Sequence, residues 1–263
     1  MCRIVYAMSD IHGCLHAFED ALALVELRLS EPGTKLVLLG DYIDGGPDSL
    51  GVLERLCELE QTYNHGSGRT RIGEGQKVLC LLGNHEAPYA EDLAGTVVRD
   101  DIPWESEEQK KTLTEWIRRM PRYLAAGNVI FCHAGINEEA GADWESCTDP
   151  DTFVSKPYSA HVLFRRSSWR EPVPPAAVPE TTGAGIGPAG FTIVAGHTGT
   201  CTISGNPDYH DIWYEDASHI YIDGSTVLSG KVPVLKADLS AGRFYQVEIS
   251  GERKLDIMEK GLP

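Results

Sequence analysis

The sequence lacks long apolar runs, paired cysteines and an excess of positive charge, and each deficit argues against a class of protein. No run approaches the roughly 18 apolar residues that a membrane-spanning helix needs. The seven cysteines stand far apart, without a Cys-x-x-Cys pair, which argues against a zinc-cysteine site. Lys and Arg number 23 against 39 Asp and Glu, giving a formal net charge of −16. That charge repels nucleic acid backbones and anionic lipid, so we expect neither nucleic acid nor a membrane as a partner.

The organisation that the sequence predicts is a single domain over residues 1–263. With 42% hydrophobic residues the chain can bury a sizeable core, and it shows neither an internal repeat nor a dividing linker. The first residues, MCRIVYAMSD, pass directly into a strand without the apolar region and cleavage site of a signal peptide. We therefore expect a soluble, cytoplasmic protein with a helical insertion at about 86–127 and a Pro/Gly-rich surface loop at 171–190.

Five predicted strands each end in a turn that carries metal-binding side chains. The central example is KLVLLGDYIDGGPDS (35–49), in which an apolar run leads through Gly40 to Asp41. The strands are predicted at 3–8, 36–39, 77–82, 128–132 and 191–195. The polar residues at their ends are Asp10, His12, Asp41, Asn84, His133 and His197. Strands of an α/β protein place their chemistry at one sheet edge, so we expect these side chains to lie together.

Helices are predicted between these strands, which is typical of the α/β class. Apolar residues recur at three- and four-residue spacing after residue 14 and again after Pro47. A third stretch with this spacing, from Leu113 to Leu124, predicts a helical cover over 107–126. The remainder of the chain predicts short β segments at 200–203, 220–223, 232–238 and 243–249.

The six side chains form a mixed carboxylate, imidazole and amide set. Such ligands, without thiolate, suit Mn²⁺, Fe or Zn²⁺. Six ligands exceed the share of one ion once water is counted, so we expect two divalent ions with Asp41 as the bridge. Two ions roughly 3.5–4 Å apart suit in-line displacement at phosphorus. His85, beside Asn84 and not needed as a ligand, is then a candidate general acid, with Asp44 to hold its tautomer.

Each turn taken alone also fits an ordinary structural role. Asn84 is a good helix cap, Asp44 suits a turn beside Gly45, and a lone His133 fits a partly buried structural histidine. Five such turns in one chain favour a metal site.

The motifs DIHG, GDYID, GNHE, CHAG and AGHT, in this order between Asp10 and Thr198, resemble those of the calcineurin-like metallophosphoesterases. Within that family they resemble the PPP-type serine/threonine phosphatases and their bacterial relatives. The resemblance implies a four-layer αββα fold, in which two packed β-sheets are flanked by helices and a dinuclear site lies at the strand ends. It also implies two divalent ions, with Mn²⁺ first and Fe or Zn²⁺ as alternatives.

Carried over residue by residue, the resemblance assigns the ligands and the acid. In that assignment Asp10 and His12 bind the first ion, Asp41 bridges both ions, and Asn84, His133 and His197 bind the second. His85 is the general acid and Asp44 is its partner.

The sequence departs from the family pattern at Gly45. The family has Arg-Gly after GDxxD, and that arginine grips the substrate phosphate, whereas this chain has two glycines. A guanidinium fork binds phosphate strongly, so we expect another cation to replace it. The segment HVLFRR (161–166) resembles an L-W-x-R segment of the bacterial relatives. The candidate phosphate contacts are therefore Arg165 first and Arg166 second, followed by Arg69 and Arg71.

Three functions fit these features. The leading hypothesis is a phosphatase that hydrolyses phosphomonoesters, including phosphoprotein, by attack of a metal-bridging hydroxide. The second is a dinucleoside polyphosphate hydrolase of the diadenosine tetraphosphate type. Bacterial relatives of that type typically lack the acid at position 44 and keep the arginine, the opposite of this chain. The third, supported by Gly45, is a metal-binding regulatory protein with weakened catalysis. For both enzymes the partner is a phosphorylated substrate, either a protein or a small molecule.

Overall fold

The computed structural model describes residues 2–64, 75–91, 102–155, 191–214 and 218–257, which form two β-sheets with helices packed against them. The strands are β1 (Ile4–Met8), β2 (Thr34–Leu38), β3 (Val78–Cys80), β4 (Tyr123–Ala126), β5 (Val129–Cys132), β6 (Thr192–Ala195), β7 (Trp213–Tyr214), β8 (His219–Tyr221), β9 (Val234–Asp238), β10 (Arg243–Glu248) and β11 (Gly251–Lys254). The helices are α1 (Leu15–Ala23), α2 (Ser49–Tyr63), α3 (Ala87–Glu91), α4 (Glu107–Ile117), α5 (Trp144–Cys147), α6 (Pro150–Ser155), α7 (Thr200–Ser204) and α8 (Thr226–Ser229), with 3₁₀ helices at Glu26–Ser30 and Glu138–Asp143. Within the described part of the chain, every helix is too short or too polar to span a bilayer.

The parallel strands of both sheets lead into the polar turns. The first sheet has the order β11-β10-β9-β1-β2-β3, and β1, β2 and β3 are parallel. The second has the order β4-β5-β6-β8-β7, and β5, β6 and β8 are parallel. At the edges of the second sheet, β4 pairs antiparallel with β5 and β7 pairs antiparallel with β8. The turns after β1, β2, β3, β5 and β6 are the five that the sequence singles out.

Alternation along the strands divides the core into two layers. Val5 and Val37 of the first sheet lie in one buried cluster with Phe131 of the second, so this cluster fills the space between the sheets. Tyr6 and Met8 point the other way and join a second cluster that includes apolar residues of α1 and α2. Strands covered on both faces are nearly continuous apolar runs, which is why β1 and β2 are so easily recognised in the sequence. The predicted αββα sandwich is confirmed.

The second helix begins at Ser49, two residues after Pro47, where the sequence predicts its start, and it also supports the turn after β2. Asp48 caps α2, its Oδ1 accepting the N–H of Gly51 at 2.8 Å. The Ser49 hydroxyl oxygen accepts the N–H of Asp44 at 3.0 Å. The first turn of α2 therefore holds the end of the GDYID loop in place.

The predicted helix over 107–126 is wrong in its last part. The helix α4 ends at Ile117, and Leu124 lies in β4, which pairs antiparallel with β5. Pro121 explains the break, because a proline cannot continue the hydrogen bonding of a helix. Leu124 is 7% exposed, so its apolar character reflects burial in a sheet rather than a helical stripe.

The strand predicted at Thr200–Ile203 is also wrong, since these residues form the helix α7. Thr200 and Ile203 are both buried, and Gly205 ends the helix with a φ of 68°. Four β-branched or small residues are too few for strand propensity to decide the structure. Strands β7 and β11 were not predicted. The loop at 171–190 and the arginines Arg69, Arg71, Arg165 and Arg166 lie outside the described residues, and the single-domain organisation stays a prediction.

Candidate metal centre

The side chains predicted from the strand ends lie together in the structure. They follow parallel strands of both sheets, so each is held at a carboxyl end. Asp41, after β2, is at the centre of the group. Its Oδ2 lies 3.2 Å from His133 Nε2, 3.7 Å from His12 Nε2 and 3.8 Å from His85 Nε2. One carboxylate oxygen therefore faces three imidazole nitrogens.

A second cluster of polar atoms surrounds the side chain of Asn84. Asn84 Oδ1 lies 2.8 Å from His197 Nδ1 and 3.0 Å from His133 Nε2, and these two nitrogens are 3.2 Å apart. Asp41, His133 and His197 have the spacing to hold one ion. Asp41, His12 and His85 have the spacing to hold another. Because Asp41 belongs to both groups, it has the position that a bridging ligand requires.

Asp10 connects the two sheets. Its Oδ1 and Oδ2 accept the backbone N–H of His197 at 3.2 and 3.0 Å. Oδ1 also lies 3.9 Å from His12 Nε2. Asp10 and His12 are thus neighbours, as their predicted sharing of the first ion requires.

Backbone groups orient two of the candidate ligands. His12 Nδ1 lies 3.1 Å from the carbonyl oxygen of Ile43 and 3.2 Å from that of Asp44. Carbonyls can only accept, so Nδ1 carries the proton and the lone pair of Nε2 points toward the carboxylates. The N–H of His85 donates to Asp41 Oδ1 at 3.0 Å, which leaves Oδ2 facing the imidazoles.

His85 and Asp44 form the predicted pair. His85 Nδ1 lies 2.6 Å from Asp44 Oδ2, a short contact of the charge-assisted kind. The His85 side chain keeps 30% exposure, so a substrate can reach it. Its Nε2 also falls in the group with His12 and Asp41. The geometry therefore allows His85 either as an acid at the edge of the centre or as a further ligand.

Backbone strain is concentrated at this centre. Among the described residues, the non-glycine residues with positive φ are Asp10, His12, Asp41, Asp44, His197 and Ser225, with φ between 50° and 68°. Five of these are predicted site residues, and the sixth lies two residues after Asp223 in the loop that follows β8. Left-handed conformations cost energy in L-residues and persist where surrounding contacts impose them, commonly at functional sites.

Glu86 is a supporting residue that the sequence reasoning missed. It is fully buried, and its carboxylate accepts the N–H groups of Asp41 at 2.9 Å, Tyr42 at 2.8 Å and Ile43 at 3.2 Å. It thereby holds the turn that presents the central carboxylate. The signal was available in GNHE, because a carboxylate next to two site residues at a buried strand end needs partners of its own.

Asp223 was also missed. It follows β8, is 7% exposed, and its Oδ1 accepts the N–H of Ser225 at 2.7 Å. Burial, and then the charge of Asp223, raise the pKa of Asp10 well above its usual range. The sequence IYIDGS shows the same strand-then-acid pattern as the other turns, so this residue could have been included.

The backbone conformation at position 45 favours glycine. Gly45 has a φ of 90°, which disfavours any residue with a side chain. A Cβ built there would lie 3.1 Å from Val227 Cγ2, tighter than ordinary contact. Gly83 is required for a steric reason, because a Cβ there would overlap the backbone and carboxylate of Asp41.

The electrostatics of the centre couple Asp41 with the buried histidines. Burial opposes charge on Asp41, but the charge and hydrogen bond of His133 lower the pKa of Asp41 below its usual range. Burial would likewise lower the pKa of His133, but Asp41 raises that pKa to about 9. Burial, and then the neighbouring His133, lower the pKa of His197 to about 4. A cation would therefore displace a proton from His133, whereas His197 already presents a neutral ring.

The donor chemistry fits divalent cations. Carboxylate, amide oxygen and imidazole nitrogen are ligands of Mn²⁺, Fe and Zn²⁺. The lone-pair-bearing atoms of this centre face one another at 2.8 to 3.9 Å, from Asn84–His197 to Asp10–His12. Such an arrangement is repulsive unless protons or cations lie between the atoms.

This fold and centre define a metallophosphoesterase. The sequence profile described as calcineurin-like phosphoesterase matches residues 4–224, and the chain belongs to that family. The family resemblance of the five motifs is thereby confirmed.

Individual relatives add detail. A symmetrical bis(5'-nucleosyl)-tetraphosphatase of Nitrosospira multiformis is 32% identical over 138 residues, which cover 50% of this chain and 43% of that protein. The chain thus spans less than half the length of this relative. A solved structure provisionally named a diadenosine tetraphosphatase has a TM-score of 0.55 and 20% identity, covering 94% of each chain. A cold-active protein-tyrosine phosphatase of a psychrophilic Shewanella has a TM-score of 0.57 and 17% identity, covering 97% of this chain and 81% of the other. Both structures bear on the fold alone.

Proposed function

We propose that the protein is a metal-dependent phosphatase that hydrolyses phosphomonoesters, with His85 as the general acid. The observation that supports this is the 2.6 Å contact between His85 Nδ1 and Asp44 Oδ2 beside the Asp41 carboxylate. An imidazole held by a carboxylate on one nitrogen, with the other facing the centre, is suited to deliver a proton to a departing oxygen.

The proposal divides the candidate ligands between two ions in the way that the sequence predicts. In this proposal Asp10 and His12 hold one ion, Asn84, His133 and His197 hold the other, and Asp41 belongs to both. Two divalent ions, Mn²⁺ first and Fe or Zn²⁺ as alternatives, would supply Lewis acidity to the phosphate and a more acidic bound water.

The chain's own residues supply orientation and the proton. Asp44 keeps a proton on His85 Nδ1 and stabilises the imidazolium, so Nε2 can donate to the leaving oxygen. Glu86 fixes the backbone of residues 41–43 through three N–H bonds and thereby fixes the Asp41 carboxylate. Arg165, and then Arg166, are the proposed contacts of the substrate phosphate.

The test is turnover of phenyl phosphate, whose departing oxygen is basic, by protein loaded with Mn²⁺, Fe²⁺ or Zn²⁺, with His85→Ala measured beside it. We expect hydrolysis that falls by about 10²- to 10⁴-fold in the variant, the range for a positioned acid. Elemental analysis of the same variant separates the two roles of His85. An acid leaves the metal content unchanged, whereas loss of an ion would assign His85 as a ligand. Wild-type turnover no faster than that of the variant would refute the proposal.

A second candidate is hydrolysis of a dinucleoside tetraphosphate, and the names of the relatives favour it. The match to those enzymes covers less than half of their length. Incubation with diadenosine tetraphosphate, followed by chromatography, decides between the two. A symmetrical cut yields the nucleoside diphosphate alone. Turnover of this compound far above that of monoesters would favour the second candidate.

The third candidate, a regulatory protein with weakened catalysis, makes a different prediction. Elemental analysis would find bound metal, while neither the monoesters nor the nucleotide would be hydrolysed. Gly45 is the feature that favours this candidate, since the arginine that the family pattern places there is missing.

A further inference from the structure

The short helix α8 presents apolar side chains to solvent at the metal centre. Val227 is 47% exposed and Leu228 is 82% exposed. The helix follows Asp223 and Ser225, in the loop that leaves β8 beside Asp10. Exposed aliphatic side chains are normal singly. What distinguishes Val227 is the polar cluster next to it.

The position of α8 is fixed by hydrogen bonds at both ends. Ser225, with a φ of 54°, donates its N–H to Asp223 Oδ1 at 2.7 Å. At the other end the Ser229 hydroxyl donates to the carbonyl oxygen of Gly224 at 2.8 Å. Thr226, the first residue of the helix, is 1% exposed. Val227 is therefore carried on an anchored segment rather than on a loose tip.

The Val227 side chain points at the loop that holds the proposed acid. A Cβ built on Gly45 would lie 3.1 Å from Val227 Cγ2 and 3.8 Å from the Cβ of His12. Gly45 directly follows Asp44, whose carboxylate contacts His85. The His85 and His12 rings meet edge to face, with centroids 4.8 Å apart. Val227 thus stands on the side of the centre where the acid, and hence the departing group of a substrate, would lie.

We propose that Val227 is the apolar wall of a leaving-group subsite and selects phosphoesters whose leaving group is aromatic or aliphatic. This inference rests on the proposed function, because the leaving group is placed by His85. Val227 itself lies against Gly45, and 47% of its surface stays exposed beside the centre, so an apolar group can lie against that exposed part while its phosphate reaches the centre. Removing such a group from water is favourable by about 25 cal/mol per Å² of apolar area.

The experiment uses ligands that cannot be hydrolysed, so binding is measured apart from turnover. The metal-loaded protein is titrated calorimetrically with phenylphosphonate and with methylphosphonate, which share the phosphonate but differ in the apolar body. We expect wild type to bind phenylphosphonate about 5- to 20-fold more tightly, as expected for a partly enclosed apolar contact. Val227→Thr keeps the branched shape and adds a hydroxyl, and it should reduce that ratio by about threefold or more.

A matched control is Leu27→Thr. Leu27 is 86% exposed in the 3₁₀ helix Glu26–Ser30, which precedes β2 and so lies at the end of the sheet away from the centre. It should leave the ratio unchanged. A wild-type ratio near one, no detectable binding of either probe, or a ratio unaffected by Val227→Thr would overturn the inference. The affinity ratio and the hydrolysis rate, measured together, distinguish failure of the subsite from failure of the proposed function. A Val227-dependent ratio without turnover refutes only the proposed function, and turnover without the ratio refutes only the subsite.

Discussion

Replacing Asp44 by Asn tests the proposed acid with little disturbance of the loop. Asp44 has a φ of 68°, a conformation that Asn adopts more readily than other residues with a side chain. The asparagine side chain has nearly the same shape as that of Asp44 but no charge. The substitution therefore changes the partner of His85 Nδ1 from a carboxylate to an amide, while the backbone N–H bond to Ser49 is retained.

The magnitude follows from the 2.6 Å contact. A hydrogen bond to a charged group contributes about 1.5–3 kcal/mol, roughly twice a neutral one, so the amide should stabilise the imidazolium less by about 1–2 kcal/mol. Each 1.4 kcal/mol is about tenfold in rate, so we expect kcat to fall about 5- to 30-fold. An amide that turned its NH₂ toward Nδ1 would select the wrong tautomer and increase the loss.

The assay compares leaving groups. A general acid matters most when the departing oxygen is basic, so Asp44→Asn should slow phenyl phosphate by the full factor and 2,4-dinitrophenyl phosphate much less. Asp48→Asn is the matched control in the same loop, because Asn caps α2 as well as Asp does. It should leave both rates unchanged. Equal losses for the two substrates with Asp44→Asn would refute the acid role and favour His85 as a ligand.

Three further predictions concern stability. Tyr42 is fully buried, and its hydroxyl contacts the carbonyl oxygens of Leu38 at 2.9 Å and Leu81 at 2.7 Å. Tyr42→Phe should therefore lower the free energy of unfolding in urea by about 1–2 kcal/mol. An unchanged urea midpoint would contradict this. Chelation should lower Tm and Mn²⁺ should restore it, because Mn²⁺ at 100 times its dissociation constant stabilises the folded chain by about 2.7 kcal/mol; a Tm indifferent to chelator would contradict metal binding by the folded chain. Gly45→Ala should lower the free energy of unfolding by about 1–2 kcal/mol from its φ of 90° alone, in addition to the cost of crowding Val227. Adding Val227→Ala should remove only the crowding cost. Full recovery of stability in the double variant would show that the backbone conformation is not the cause.

The cluster of candidate metal ligands could be predicted because its signal is local. Each candidate ligand directly follows an apolar strand, and parallel strands bring their ends together whatever the intervening helices do. Asp41 and His133 are 92 residues apart in number, yet their side-chain atoms lie 3.2 Å apart. Sequence alone could not reveal the backbone strain at Asp10 or Asp41, since φ is imposed by contacts that only the folded chain contains.

The errors arose where apolar character had two explanations. Leu124 continues the three- and four-residue spacing of α4 but is buried in a strand, and Pro121 was the evidence that should have ended the helix. Thr200 and Ile203 have strand propensity but are buried on one side of a short helix. In short segments apolar residues indicate burial, but the segment contains too few residues for their periodicity to distinguish a helix from a strand.

The bridging carboxylate and the proposed acid are held by one short peptide. The N–H of His85 donates to Asp41 Oδ1, while the His85 side chain contacts Asp44, three residues after Asp41. Glu86, the next residue, accepts the N–H groups between those two acids. The turns after β2 and β3 are therefore bound to each other by contacts in both directions. A displacement of Asp41 would move His85 with it, so the distance between the candidate metal ligands and the proposed acid is set by the same hydrogen bonds that fold the two turns.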